Sequence, residues 1–148
     1  MATLKVKIHE EIILDNQDYG SKRTLEISSI NEILKRIVTC AASQTTTIAV
    51  FNSNAYGAAG AVDIEDSKYI RITNLDSSNA VELAVVGAAT LYQVNLAAGQ
   101  SHVLGSADGL MLSEADTSPS FGTMADLGSI QVNPGGNAVN VEVFVAST

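Results

Sequence analysis

Apolar and polar residues alternate through most of the chain. Residues 3–14 (TLKVKIHEEIIL) put Leu4, Val6, Ile8, Ile12 and Leu14 at one parity and Lys5, Lys7, His9 and Glu11 at the other, with Glu10 and Ile13 breaking the rule. A period of two marks a strand with one buried face, because successive side chains leave opposite sides of the pleat. The turn residues Asp15, Asn16, Gln17, Asp18, Tyr19 and Gly20 follow, and residues 23–28 (RTLEIS) resume the alternation. This pattern predicts a hairpin.

Residues 29–38 carry two signals at once. Ser29 and Glu32 have capping-box spacing, and Ile30, Ile33, Leu34, Ile37 and Val38 recur at helical intervals. The run KRIVT at 35–39 is partly β-branched and leads into a Thr-rich stretch, which suits a pleated surface better. The expectation is about one helical turn followed by a strand.

Further strands are predicted at 45–51, 68–75, 80–86, 90–96, 100–104, 109–113, 129–132 and 139–146. Segments 76–79, 97–99 and 133–137 have the chemistry of hairpin connections, whereas 52–62 and 114–128 are longer loops. Roughly ten short strands with turn signals every ~8–12 residues point to an all-β fold. The expected architecture is a single domain over residues 1–148: an antiparallel β-sandwich of jelly-roll type, with at most one short helix.

Composition narrows the class. Apolar residues make up 46% of the 148 residues and charged ones 16%, against a usual charged share of about 25%, which excludes a disordered chain. A domain of this length buries roughly 68–70% of its extended-chain surface, so its core needs no metal or disulfide staple, and no cofactor is expected. The N-terminus alternates charged and apolar residues without the apolar core of a signal peptide, and Cys40 is the single cysteine. Folding in a cytoplasm, off the membrane, is the expectation.

Charge divides the chain. All eight cations lie in residues 1–71 beside nine acids, leaving −1, while residues 72–148 hold seven acids and no Lys or Arg, giving −7. Nucleic acid and anionic membranes are gripped by clustered Lys and Arg, so neither is an expected partner. Lys5, Lys7, Lys22 and Arg23 are the candidate partner-binding residues, facing an acidic surface, with the acidic second half turned outward or lining a trimer.

Catalytic and ligand motifs are weak. His9 and His102 would need a carboxylate from a distant strand to make a metal site. No GxSxG elbow accompanies the serines, and Gly135-Gly136 after Pro134 is a turn, with no GK[ST] of a P-loop. Lys35 and Arg36 precede Cys40, but a lone cysteine is ordinarily small, buried and inert. Asp63, Glu65 and Asp66, with Asn52 and Asn54, offer oxygen ligands for Ca²⁺ but lack the order of a Ca²⁺ loop, and Lys68 and Arg71 are placed to neutralise them. A sugar platform would fall to Tyr19, Tyr56, Tyr69 or Tyr92, the last two suited to packing. No catalytic residue and no metal site is expected, and the chain reads as a non-enzyme.

Three segments carry a resemblance: Tyr69-Ile70-Arg71-Ile72-Thr73-Asn74-Leu75-Asp76, Leu96-Ala97-Ala98-Gly99-Gln100-Ser101, and Ala138-Val139-Asn140-Val141-Glu142-Val143-Phe144-Val145-Ala146. In this order they resemble small β-sandwich virion proteins of tailed bacteriophages, over about residues 68–148. The resemblance implies a capsid decoration (cement) protein on the head exterior, or else a tail or fibre component. It further implies a homo-oligomer, with a trimer favoured, contacting the major capsid protein or neighbouring virion subunits after assembly in the host cytoplasm. A carbohydrate-binding module is the alternative from another class.

Overall fold

A computed structural model describes residues 1–54, 60–87, 91–112, 118 and 121–148. The chain opens with an arm. Strand β1 (Ala2–Glu10) pairs antiparallel with β4 (Ser21–Ile30), and between them β2 (Ile13–Leu14) and β3 (Gln17–Asp18) form a small ladder at the tip. The predicted hairpin is therefore present. Its first strand ends at Glu10, where the alternation falters, and Asp15 and Asn16 make the turn with φ of 51° and 62°. Asx side chains tolerate that left-handed backbone because they bond locally.

The body is a two-sheet antiparallel sandwich built from β5 (Glu32–Cys40), β6 (Thr46–Asn52), β7 (Ala61–Asp63), β8 (Ser67–Asn74), β9 (Val81–Gly87), β10 (Leu91–Leu96), β11 (Ser101–Leu104), β12 (Leu127–Asn133) and β13 (Val139–Ser147). One sheet runs β10-β9-β12-β6-β7 and the other β11-β8-β13-β5. Pairing is nested: β5 with β13, β6 with β12, β8 with β11 and β9 with β10. The short β7 adds to β6 in parallel.

Alternation explains which side chains fill the space between the sheets. Along β13, Val139, Val141, Val143 and Val145 point inward, meeting Ile70 and Ile72 of β8. Ile48, Leu83, Val85, Leu127, Ile130 and Val132 approach from the facing sheet, all fully buried. Sandwich cores of this kind interdigitate the inner rows of two sheets about 10 Å apart.

Three local expectations are corrected. No helical turn precedes β5, because Ser29 takes φ 64° at the arm's base and Glu32 is already in β5, where it pairs with Ser147. Long-range pairing with β13 overrides the local helical spacing. Segments 76–79, 97–99 and 133–137 are not hairpins, since each joins strands in opposite sheets. Residues 109–113 do not form a strand: Met111 makes an isolated bridge to Ala125, and Ser113 lies outside the described residues, as do 55–59 and most of 114–120.

Candidate functional site: the arm and the outer sheet face

The arm is amphipathic by register. Leu4, Val6 and Ile8 of β1 stand opposite Ile27, Leu25 and Arg23 of β4, while Lys5, Lys7 and His9 stand opposite Glu26, Thr24 and Lys22. Paired residues share a face, so one side of the ribbon is apolar and the other basic. Lys5, Lys7 and Lys22 are thus brought together. Arg23 is not with them and projects from the apolar side beside Ile8. Lys5 Nζ meets Glu26 at 2.9 Å, and Lys7 and Lys22 make no ion pair among the described residues.

The root of the arm is seated. Leu4, Val6 and Ile27 pack with the buried Ile30 against Tyr69, Phe144 and Ala146 on the outer face of the four-stranded sheet. Tyr69 and Phe144 meet edge to face with ring centroids 6.0 Å apart. Farther out, this support ends. Every residue from Lys7 to Tyr19 is exposed, including Ile8, Ile12, Ile13 (71% exposed), Leu14 and Tyr19. Four large apolar side chains on a tip of eleven residues, without a core of their own, form the kind of patch that marks a contact surface.

Between shaft and sheet lies a groove of about 630 Å³, lined by Val6, Ile8, Leu25, Tyr69, Val103 and Leu104 with Arg23 and Lys68 at its rim. No carboxylate lines it. Lys68 Nζ donates to the carbonyl oxygen of Glu65. Sequence reading did not single out the groove, because its walls come from four strands distant along the chain.

The other candidate residues are dispersed. His9 lies 3.9 Å from Glu11 at the exposed tip, whereas His102 Nε2 is 3.1 Å from the Tyr92 hydroxyl on the far side of the sheet. Among the described residues no cluster of three His, Cys, Asp or Glu is grouped to hold a metal. In the acidic loop, Asp63 accepts the Glu65 amide at 3.0 Å. Arg71 does not neutralise that loop: its guanidinium meets Glu142 at 2.6 Å and stacks over the Phe144 ring. Cys40 is fully buried, and desolvation pushes its thiol above the usual value, outweighing the Thr46 hydrogen bond. Tyr69 is buried and Tyr92 half-buried, Tyr56 lies outside the described residues, and Tyr19 stands exposed, its hydroxyl donating to Gln17 at 3.3 Å.

No family model matches the chain, and no curated protein matches it. A solved structure of Bacillus endospore appendages, described as forming a novel family of disulfide-linked pili, superposes at a TM-score of 0.43 with 12% identity over 80% of this chain and 88% of its own. A likeness at that score carries no argument about fold or role.

Proposed function

We propose that this chain is a non-enzymatic structural subunit of a bacteriophage virion, a decoration or cement protein bound to the head exterior as a homo-oligomer. The observation that supports this reading is the arm. About a fifth of the chain forms a hairpin that is apolar on one side and basic on the other, and every residue of its outer part, from Lys7 to Tyr19, is exposed. An assembly part needs such a surface, whereas a self-contained domain has no use for it.

The sandwich suits the role. Its nested pairing, first strand with last and so on inward, is the order of a long hairpin rolled into two sheets, and we read it as a jelly roll, an architecture that recurs in viral capsid and lectin domains. Fold alone does not assign function. The basic side of the arm supplies the specific prediction: Lys5, Lys7 and Lys22 face an acidic shell or neighbouring subunit, and Arg23, on the opposite side, does not.

Co-sedimentation with empty phage heads tests the reading. The wild-type chain is expected to pellet with heads, and reversal of Lys5, Lys7 and Lys22 to Glu to abolish pelleting at physiological salt. A chain that ignores heads but pellets with tails moves the assignment to a tail or fibre component. Pelleting untouched by the triple reversal removes the basic face from the contact.

A further inference from the structure

We infer that the arm tip of one copy docks into the groove of a second copy of this chain, so that subunits join head to tail. The occupant follows from shape and charge together. The groove is apolar at its floor, through Val6, Leu25, Tyr69, Val103 and Leu104, and its charged rim is purely cationic, Arg23 and Lys68. The tip, residues 10–20, is apolar through Ile12, Ile13, Leu14 and Tyr19, and its charges are purely anionic: Glu10, Glu11, Asp15 and Asp18. Each surface has what the other lacks, and burying the apolar rows against each other would bring opposite charges to the rim, where they set register and suppress wrong partners.

The tip cannot fill the groove of its own subunit. The ladder of the shaft is continuous from Leu4↔Ile27 to Glu10↔Ser21, and the tip leaves its far end, carried away from Val6 and Ile8 by the strand direction. The exit is fixed by a tight crossing at Gly20, where an added Cβ would sit 2.4 Å from the Glu10 carbonyl oxygen, and by the Tyr19 amide donating to the Ile12 carbonyl oxygen at 3.0 Å. Tip and groove are different surfaces of one molecule, so the contact is heterologous and closes into a ring when the rotation per subunit permits. This inference rests on the homo-oligomer part of the reading above and is independent of phage heads.

The test is the solution mass of the full chain by light scattering, read with circular dichroism to show that each variant folds. Wild type is expected at a multiple of 15.4 kDa. Two separate variants, Ile13→Asp with Leu14→Asp, and Arg23→Glu with Lys68→Glu, are each expected to fall to one copy while keeping the wild-type spectrum. Asp15→Lys with Asp18→Lys should do the same, and combining this reversal with Arg23→Glu and Lys68→Glu should restore the multiple. A monomeric wild type, an oligomer that the tip or groove variants leave intact, or a combined reversal that stays monomeric would each overturn the docking. Loss of head pelleting with the oligomer intact would instead count against the virion assignment alone.

Discussion

The Tyr92 hydroxyl lies 3.1 Å from His102 Nε2, joining edge strand β10 of one sheet to edge strand β11 of the other. Their rings also meet edge to face with centroids 6.0 Å apart. At the opposite edge the guanidinium of Arg36 on β5 donates to the carbonyl oxygen of Ile48 on β6. Polar contacts thus join the two sheets between the edge strands β10 and β11 and between β5 and β6, the neighbour of the short edge strand β7.

Burial lowers the His102 pKa below its usual 6.5, because desolvation penalises the imidazolium, and the same cause raises the Tyr92 phenol. In the unfolded chain the imidazole protonates near pH 6.5, before it does in the folded protein. The unfolded state then binds more protons, so stability is full above about pH 6.5 and declines as the pH falls through the folded value. Urea midpoints between pH 8 and pH 5 should show this decline, and His102→Gln should flatten it. An unchanged slope in the variant would place the titration elsewhere.

Asn74 is, with Ser67 and Ser147, one of the polar residues buried among the described residues. It is fully buried at the inward end of β8, and its side-chain nitrogen donates to the carbonyl oxygens of Asn79 at 2.8 Å and Leu96 at 3.1 Å, while its side-chain oxygen accepts the Asp76 amide. One side chain therefore ties together the connections from β8 to β9 and from β10 to β11. Replacement by Leu keeps the volume but strands the buried Leu96 carbonyl and the half-buried Asn79 carbonyl, at a cost of about 2–4 kcal/mol. Chemical denaturation of Asn74→Leu measures it, and a loss below about 1 kcal/mol would mean that water replaces the amide.

How far the sequence reveals this protein depends on how local each determinant is. Strands β8 and β13 were legible because inward residues such as Ile72 and Val141 each stand between two polar neighbours. The turn at 97–99 was legible as a turn, but its crossing to the other sheet was not, since a glycine able to take the positive φ seen at Gly99 (75°) suits either connection. The KRIVT segment was ambiguous for a related reason: only β13, a hundred residues away, decides that it is extended. In the arm, composition grouped Lys5, Lys7, Lys22 and Arg23, and register alone separates Arg23 from the rest. The groove left no local signal at all.

Across β8 and β13, Arg71 and Glu142 form a half-buried pair, with side chains 28% and 14% exposed, and Lys35 stands 3.8 Å from the same carboxylate. Removing Arg71 leaves Glu142 only the longer contact to the exposed Lys35. A double-mutant cycle with Arg71→Ala and Glu142→Ala should return a coupling of about 1–2 kcal/mol, above the usual 0.2–1 kcal/mol of exposed pairs because the geometry is tight and solvent access is reduced. Coupling that vanishes in 0.5 M salt would mark the pair as an ordinary surface contact.

Gly20 governs where the arm tip points. Any side chain there meets the Glu10 carbonyl oxygen at 2.4 Å and the Glu11 Cα at 3.2 Å, both backbone atoms that cannot swing aside. Gly20→Val should open the tip while leaving the sandwich intact: the melting midpoint stays within a few degrees of wild type, and limited proteolysis gains a cut within residues 10–20. Unchanged proteolysis would show that the crossing relaxes without cost.

Removal of residues 1–29 separates what the body needs from what the arm needs. The arm shares no ladder with either sheet, and its attachment consists of the small cluster around Tyr69, Phe144 and Ala146 together with the Asn31 amide donating to the Ser147 carbonyl oxygen, a bond the truncation retains. The main core, from Ile48 to Val145, lies between the sheets and loses nothing. Truncation should therefore leave one cooperative transition, weakened by about 2–4 kcal/mol as Tyr69 and Phe144 return to water. The converse fails, because a lone two-stranded ribbon is marginal in water, so a peptide of residues 1–30 should show no stable sheet by circular dichroism. That asymmetry fits an arm whose root is held by the four-stranded sheet it packs on. A truncated body that failed to fold would instead make the arm part of the core.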